Sequence, residues 1–331
     1  MDASQYQQHV FDLPFPSNQH PRAAEAQDHT REWAQSHGLL RGAHALSRFD
    51  ALGYGRLMAY ACPTAPFEQL LLIVDWNTLF FMADDLQSEA VASQRTAEYE
   101  RLRHAALDVI NSKGERDVLD HPVLTGLTDL CRRTFPGRST QWSGRFSLDL
   151  ERWLTGHARE NAYRSAGVTP DPEQYTQLRR DASTVFPTLD LMEVAEHVEI
   201  PPPLYYASDY QALVTSTADI MCWINDVHSL SVETAGGDAI NLIVVLHEHR
   251  GLTYEAAAAE VVRMIGERVA AHQAAAEAFV RALDTEDPTA AAIGRVVRDQ
   301  GSWAAGMERW DRLDTVRHQI ASLSTGEMLR Q

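Results

Sequence analysis

Lysine is almost missing from this 331-residue sequence: Lys113 is the single example, and the other basic residues are arginines. The basic side is thin altogether, with 29 Lys and Arg against 46 Asp and Glu and a formal charge of −17. A chain that acidic, with no Lys/Arg cluster, argues against nucleic acid or an anionic membrane surface as partner, since both require local positive charge. The three cysteines, Cys62, Cys131 and Cys222, are scattered and form no CxxC pair. That excludes a disulfide framework and a cysteine-rich zinc site, and fits a reducing compartment. Long apolar runs are also lacking: Leu70 to Val74 and Leu242 to Leu246 are far too short for a membrane span. The start of the chain, with Asp2, Asp12 and several prolines, lacks the basic and apolar pattern of a signal peptide. The expectation is a cytoplasmic globular protein.

What is present is helical periodicity. Residues 11–22 carry too many prolines for a helix and read as part of an extended N-terminal arm, 1–22. From Phe67 to Leu86, Phe67, Leu70, Leu71, Val74, Phe81 and Met82 recur at helical spacing, widened by Leu72, Ile73, Leu79 and Phe80, so this helix should be central. Further helices are expected at Asp28–Gly38, Ala90–Ser112, His121–Thr134, Thr140–Ala166, Pro172–Arg180, Asp190–Glu196, Tyr205–Glu233, Ala239–Glu248, Tyr254–Leu283 and Thr289–Arg309. Alternating strand patterns are nearly absent, so the chain reads as all-α. Pro201-Pro202-Pro203 and Gly236-Gly237 are the strongest breaks, but composition does not change across them. One domain, 1–331, is the simpler reading.

Two oxygen-rich clusters each end an apolar helix. Asp84-Asp85-Leu86-Gln87-Ser88-Glu89 follows Phe80-Phe81-Met82-Ala83. Hard carboxylate oxygens beside an apolar wall suit Mg²⁺ bound to a substrate with a phosphate head and a greasy tail. Asn225, Ser229 and Glu233 lie at i, i+4 and i+8, on one helical stripe, and all offer oxygen to a hard divalent ion. Either cluster alone is equally compatible with a solvated helix end; two such clusters are much harder to obtain by chance. Arg179 and Arg180 precede a stretch, 181–187, where the helical pattern breaks, and Arg312 and Arg317 follow Trp303 and Trp310 near the C-terminus. Guanidinium forks are natural clamps for diphosphate oxygens, although any single arginine can equally be a surface ion pair.

Taken together, these features resemble the bacterial class I terpene synthases (terpene cyclases). The resemblance runs from Pro14, Asn18, His20-Pro21, Trp33 and Gly38-Leu39 to Trp303, Trp310 and Arg317. Asp84 to Glu89 is similar to the family's aspartate-rich motif in its DDxxxE form, and Asn225, Ser229 and Glu233 to its NDxxSxxxE triad. Arg179 lies 46 positions before Asn225, where the family carries a diphosphate-sensing arginine. Val232 replaces a frequent lysine, His318 stands where a tyrosine follows the C-terminal arginine, and Ser183-Thr184 replaces a common glycine.

The resemblance implies a single α-helical bundle around a deep apolar pocket. It implies a trinuclear Mg²⁺ cluster, with Asp84 on two ions, Asn225, Ser229 and Glu233 on the third, and Glu89 as the second acid of the first motif. Asp85 would hydrogen-bond Arg179, while Arg179 and Arg317 would bind the diphosphate. Phe80, Phe81, Phe186, Trp223 and Trp303 are candidates to line the pocket and stabilise a carbocation. The implied reaction is ionisation and cyclisation of farnesyl or geranylgeranyl diphosphate, with no nucleic acid or membrane span involved, and with a homodimer among the forms such proteins take. Two alternatives stand beside it. A prenyltransferase would call for a second aspartate-rich motif and more lysines; a non-catalytic isoprenoid-binding helical protein would not need the triad with its distant arginine.

Overall fold

A computed structural model describes residues 9–116, 120–235, 238 and 240–318. The first eight residues of the expected arm, Gly236-Gly237 and Ala239 lie outside the described residues. Among the described residues there is no strand, and the chain forms helices α1 (Ala23–Ser36), α2 (Gly42–Leu52), α3 (Tyr54–Ala61), α4 (Phe67–Ala92), α5 (Thr96–Asn111), α6 (Pro122–Thr134) and α7 (Thr140–Ala166). They continue as α8 (Pro172–Ala182), α9 (Val185–Ala195), the short α10 (Pro202–Tyr205), α11 (Ser208–Ala235), α12 (Leu242–Arg250), α13 (Tyr254–Ala282) and α14 (Ala290–Arg309). A π-helical turn, Trp310–Asp314, extends α14.

The long helices follow from their sequences. α4 is apolar around most of its circumference as far as Ala83, and Leu70, Ile73, Val74, Trp76 and Leu79 are all buried. Such a helix is stable only with neighbours on every side. α7 is bounded by its caps: the Ser139 hydroxyl accepts from the Trp142 N–H, and Gly167 ends the helix in the left-handed region at φ 63°. α8 opens the same way, with Asp171 accepting from Glu173 and Gln174 N–H and Pro172 at its first position.

The elements close into a ring. α14 packs on α3, α3 on α4, α7 on α8 and α9, α9 on α11, and α11 on α14. The α4–α7 side is sealed by the Phe80 ring standing edge-on to Trp153, centroids 5.0 Å apart. α13 covers the outer face of α11. One continuous apolar cluster runs through these helices, from Phe11 to Trp310.

Two expectations need correction. No helix was expected between Gly38 and Phe67, yet α2 and α3 fill that stretch. They share Gly53, whose φ of 66° ends one and starts the other, and Gly55 lets α3 approach α1 so closely that a Cβ would meet the Gln27 backbone at 2.6 Å. Both glycines act as joints in the fold. The second correction is at 181–189. The helix after the break resumes at Val185, not Asp190, because Pro187 sits in the first turn of α9, where its missing N–H has no intrahelical partner to lose. The unwound part is confined to Ser183 and Thr184, with Ser183 at ψ 159°.

Candidate active site

The apolar stretch of α4 gives way at Asp84 and Asp85, and a cation meets it there from the far end of the chain. Arg317 donates Nη2 to Asp84 Oδ2 at 3.2 Å and to Asp85 Oδ1 at 2.8 Å. Its Nη1 donates to the Tyr54 hydroxyl at 3.2 Å. Its guanidinium lies 4.7 Å over the Phe81 ring, which stacks on Tyr54 with centroids 4.5 Å apart. Asp84 keeps 45% of its side-chain exposure, yet the surrounding protein raises its carboxyl above the usual range, with Arg317 and His157 pulling it back. A carboxylate that water reaches and protein surrounds lies in a recess. Glu89, one turn further on, accepts from Arg95 Nη2 at 2.9 Å.

The second cluster is on α11. Asn225 Oδ1 accepts from Arg179 Nη2 at 2.7 Å, Ser229 Oγ donates to the Asn225 carbonyl at 2.7 Å, and Glu233 Oε2 accepts from Asn241 Nδ2 at 2.9 Å. Burial pushes the Glu233 carboxyl up to about 7, and the Asp226 and Asp238 carboxylates add to it. Asp226, between the triad's first two members, is fully buried. It accepts from Arg179 Nε at 3.1 Å, the Tyr175 hydroxyl at 2.5 Å and the Leu242 N–H at 3.2 Å. Arg179 is therefore fixed on two adjacent residues of α11 through two separate nitrogens. The resemblance placed Asp85 against Arg179; the structure instead gives Asp85 to Arg317 and Arg179 to Asp226 and Asn225. The next arginine turns outward: Arg180 makes a two-pronged bond to Asp219 at 2.6 and 2.7 Å, which the half-exposed Arg268 also contacts at 2.8 Å.

α7 joins the two clusters. Gln87 of α4 donates to the His157 carbonyl at 3.2 Å and to Asn161 Oδ1 at 2.9 Å. The His157 Nε2 lies 3.7 Å from Asp84, and its Nδ1 pairs with the Tyr99 hydroxyl at 2.8 Å. Burial holds this imidazole below its ordinary pKa, against the pull of Asp84 and Glu160. Two turns on, Arg164 bonds both Glu160 at 3.1 Å and Asp238 at 2.9 Å. Glu160 in turn feels Asp84 on one side and Arg179 on the other, so this face of α7 lies within electrostatic reach of both the α4 and the α11 cluster. None of Asp226, Tyr175, His157, Glu160 or Arg164 was singled out in the sequence. The available signals were the position of Asp226 inside the triad motif and the one-face spacing of 157, 160, 161 and 164.

The aromatic candidates separate by place. Phe81 lies beside the Arg317–Asp84 contact, and Phe80 is buried against Trp76 and Trp153. Phe186, just after the helix break, has the Arg152 guanidinium 4.6 Å over its ring, and Trp303 is buried on α14. Trp223 is turned toward α13, where the Arg268 guanidinium lies 5.7 Å from its ring, so it belongs to the outer face. Val232 is half-buried, and His318 is bonded to Asp311 at 2.8 Å.

These donors suit a hard divalent cation. Among the described residues, no group of three or more His, Cys, Asp or Glu side chains converges at ligand distance. The triad needs none, because amide, hydroxyl and carboxylate oxygens supply it in turn. Charge supports the fit. Asp84, Asp85, Glu89, Glu160, Asp226, Glu233 and Asp238 are seven carboxylates, met here by the four guanidiniums of Arg95, Arg164, Arg179 and Arg317. The surplus of negative charge in a recessed site is what cations would offset.

Known proteins with the same features are consistent with this arrangement. A sequence model described as terpene synthase family 2, C-terminal metal binding, matches residues 75–271. The chain is 32% identical over 261 residues to the pristinol synthase of Streptomyces pristinaespiralis, covering 78% of this chain and 70% of that one. It is 29% identical over 324 residues to a (2E,6E)-farnesyl diphosphate-cyclising corvol ether synthase of Kitasatospora setae, covering 95% and 96%. The solved linalool/nerolidol synthase of Streptomyces clavuligerus, in complex with 2-fluorogeranyl diphosphate, shares the fold at a TM-score of 0.80 with 24% identity, over 92% of this chain and 99% of that one. No described helix is long and apolar enough to cross a membrane.

Proposed function

The chain belongs to terpene synthase family 2 and is a class I terpene cyclase, and from that premise we propose that it ionises farnesyl diphosphate with Mg²⁺ and closes the chain into a sesquiterpene. The observation that carries this reading is the pair of guanidiniums, Arg179 and Arg317, each donating to carboxylate or amide oxygens at the polar end of an apolar helix. Asp84 and Glu89 on one side, and Asn225, Ser229 and Glu233 on the other, would hold the metal. Mg²⁺, when bound, supplies Lewis-acid stabilisation to a departing diphosphate. The excess of carboxylates over guanidiniums around the two clusters is what bound divalent ions would offset.

Arg179 and Arg317 present planar donors toward phosphate oxygens and stabilise charge as it develops on them. Asp226 and Tyr175 keep the Arg179 fork aimed, and neither is free to leave because both are fully buried. Below the mouth, Phe80, Phe81, Phe186 and Trp303 would shield a carbocation from water and stabilise it with ring faces. Holding the electrophile and the attacking double bond in one pocket makes ring closure effectively unimolecular. The C15 substrate is favoured because the relatives whose names give a substrate, the corvol ether synthase and a β-caryophyllene synthase of Saccharothrix espanaensis, cyclise farnesyl diphosphate.

The test is incubation with farnesyl or geranylgeranyl diphosphate and Mg²⁺, with gas chromatography and mass spectrometry of the hexane extract. A cyclic C15 product from the first and little from the second is expected. A C20 ring formed at equal or higher kcat/KM would overturn the chain length. A longer linear diphosphate, appearing only with isopentenyl diphosphate, would make the protein a prenyltransferase.

A further inference from the structure

The segment that carries Arg317 crosses the molecule under several restraints, and one of them reaches the triad helix. The Trp310 indole donates to the Leu52 and Gly53 carbonyls at 3.0 Å, Tyr60 donates its hydroxyl to Asp314 at 3.0 Å, and the Val316 N–H donates to the Ala51 carbonyl at 3.3 Å. These bonds hold the segment to α2 and α3. Asp311 does something different. Its buried carboxylate accepts from His318 Nε2 at 2.8 Å and faces His228 Nδ1 at 3.4 Å. His228 sits on α11, one residue before Ser229, and its Nε2 donates to the His9 carbonyl at 3.0 Å. The His9 and Phe11 rings close over it, and the Phe11 N–H reaches Glu308 at 3.4 Å.

We propose that Asp311 is a positioning residue for diphosphate recognition: by tying His318 to His228 it sets where the adjacent Arg317 meets Asp84 and Asp85. The inference rests on Arg317 serving as a diphosphate donor, as proposed above. The geometry makes Asp311 the link between the two halves of the site. One oxygen folds the segment back on itself seven residues later, immediately beside Arg317, and the other fastens it to the helix of Asn225, Ser229 and Glu233. A carboxylate is required for both roles at once, since each oxygen must accept from an imidazole. Asparagine keeps the size but turns one position into an N–H donor. His318 thus has a use distinct from a direct phosphate contact.

Because Asp311 acts through Arg317, its effect on diphosphate affinity is capped by that of Arg317. Arg317→Gln removes one charge-assisted contact and should weaken binding of inorganic diphosphate with Mg²⁺, measured by calorimetry, about 10- to 100-fold. Asp311→Asn should reproduce much of that loss, and the double variant should bind no more weakly than Arg317→Gln alone. His318→Phe should act in the same direction and serves if Asp311→Asn fails to fold. Amide hydrogen exchange gives a readout that needs no ligand: Asp311→Asn should speed exchange at Thr315, Val316 and Arg317 while leaving α4 unchanged. Wild-type affinity in Asp311→Asn, an equal further loss on top of Arg317→Gln, or unchanged exchange at 315–317 would each overturn the proposal. Failure of the wild type to bind diphosphate would instead overturn the proposed function, and the exchange result would still decide whether Asp311 positions the segment.

Discussion

Replacing Arg179 by lysine keeps a positive charge and removes the fork, which makes it the sharpest probe of the α11 cluster. The arginine uses Nε for Asp226 and Nη2 for Asn225 at 3.1 and 2.7 Å. A single ammonium at the end of a flexible stem cannot hold both in one plane. Losing one charge-assisted hydrogen bond costs about 1.5–3 kcal/mol; with a misaimed donor at the diphosphate adding a similar amount, and both taken near the lower end of that range, about 3–4 kcal/mol of transition-state stabilisation is at stake. At one factor of ten per 1.36 kcal/mol, kcat/KM should fall about 10²–10³-fold. Arg180→Lys is the control. That side chain pairs with the buried Asp219, away from Asn225 and Asp226, where Arg268 also contributes, so turnover should change less than about twofold even though weakening a bond to a buried carboxylate lowers the melting temperature. Steady-state release of inorganic diphosphate, alongside melting curves for both variants, reads the difference. Equal losses of kcat/KM at the two positions would refute the assignment of Arg179, as would a fall in melting temperature large enough to account for its loss of activity.

Asn225→Ala, Ser229→Ala and Glu233→Ala should each lower turnover by orders of magnitude and raise the Mg²⁺ concentration needed for half activity, while the helical circular dichroism is kept; loss of the helical signal would make these residues structural. Gly156→Ala should destabilise the α7–α8 contact beside the helix break, because the new Cβ would stand 2.5 Å from the Ala182 backbone, which cannot yield as a side-chain tip can; a cost of at least ~1–3 kcal/mol should appear as a lower melting temperature. Asp299 is buried on α14, and burial raises its carboxyl to about 7. The folded state thus holds a proton that the unfolded chain gives up near its ordinary pKa of 3.8, so this residue's contribution falls as pH rises through 7. Asp299→Asn should flatten the decline of melting temperature between about pH 4 and 7, the interval between the unfolded and folded values; an unchanged profile would remove Asp299 from the account.

Much of the fold was legible because its central helices carry their own signals. α7 begins and ends where Ser139 and Gly167 cap it, and the expected bounds, Thr140–Ala166, coincide with the observed ones. α2 and α3 were hidden because Gly53 and Gly55 look like interruptions until the neighbouring helix is in place. α9 was placed five residues late because Pro187 reads as a breaker unless its position in the first turn is known. The same division holds at the site. Asp84, Asp85, Asn225, Ser229 and Glu233 stand out because oxygen-bearing side chains interrupt apolar helices at regular spacing. Arg179 and Arg317 were singled out too, but whom they pair with was not, since the Arg179–Asp226 bond spans 47 residues and the Arg317–Asp85 bond spans 232. Contacts that distant depend on how helices are ordered around the ring, and no local pattern encodes that order. Arg95 and Arg164 carry no such mark in sequence and acquire their tasks only from the carboxylates they reach.

The central claim is metal-dependent ionisation of a prenyl diphosphate coupled to ring closure, and the measurement that meets it most directly counts both products of a single turnover. With enzyme in excess over farnesyl diphosphate and Mg²⁺ present, one inorganic diphosphate and one cyclic C15 product should form for each substrate consumed, and EDTA should stop both together. Intact farnesyl diphosphate recovered in the presence of Mg²⁺, or diphosphate release accompanied mainly by an acyclic alcohol, would contradict the account.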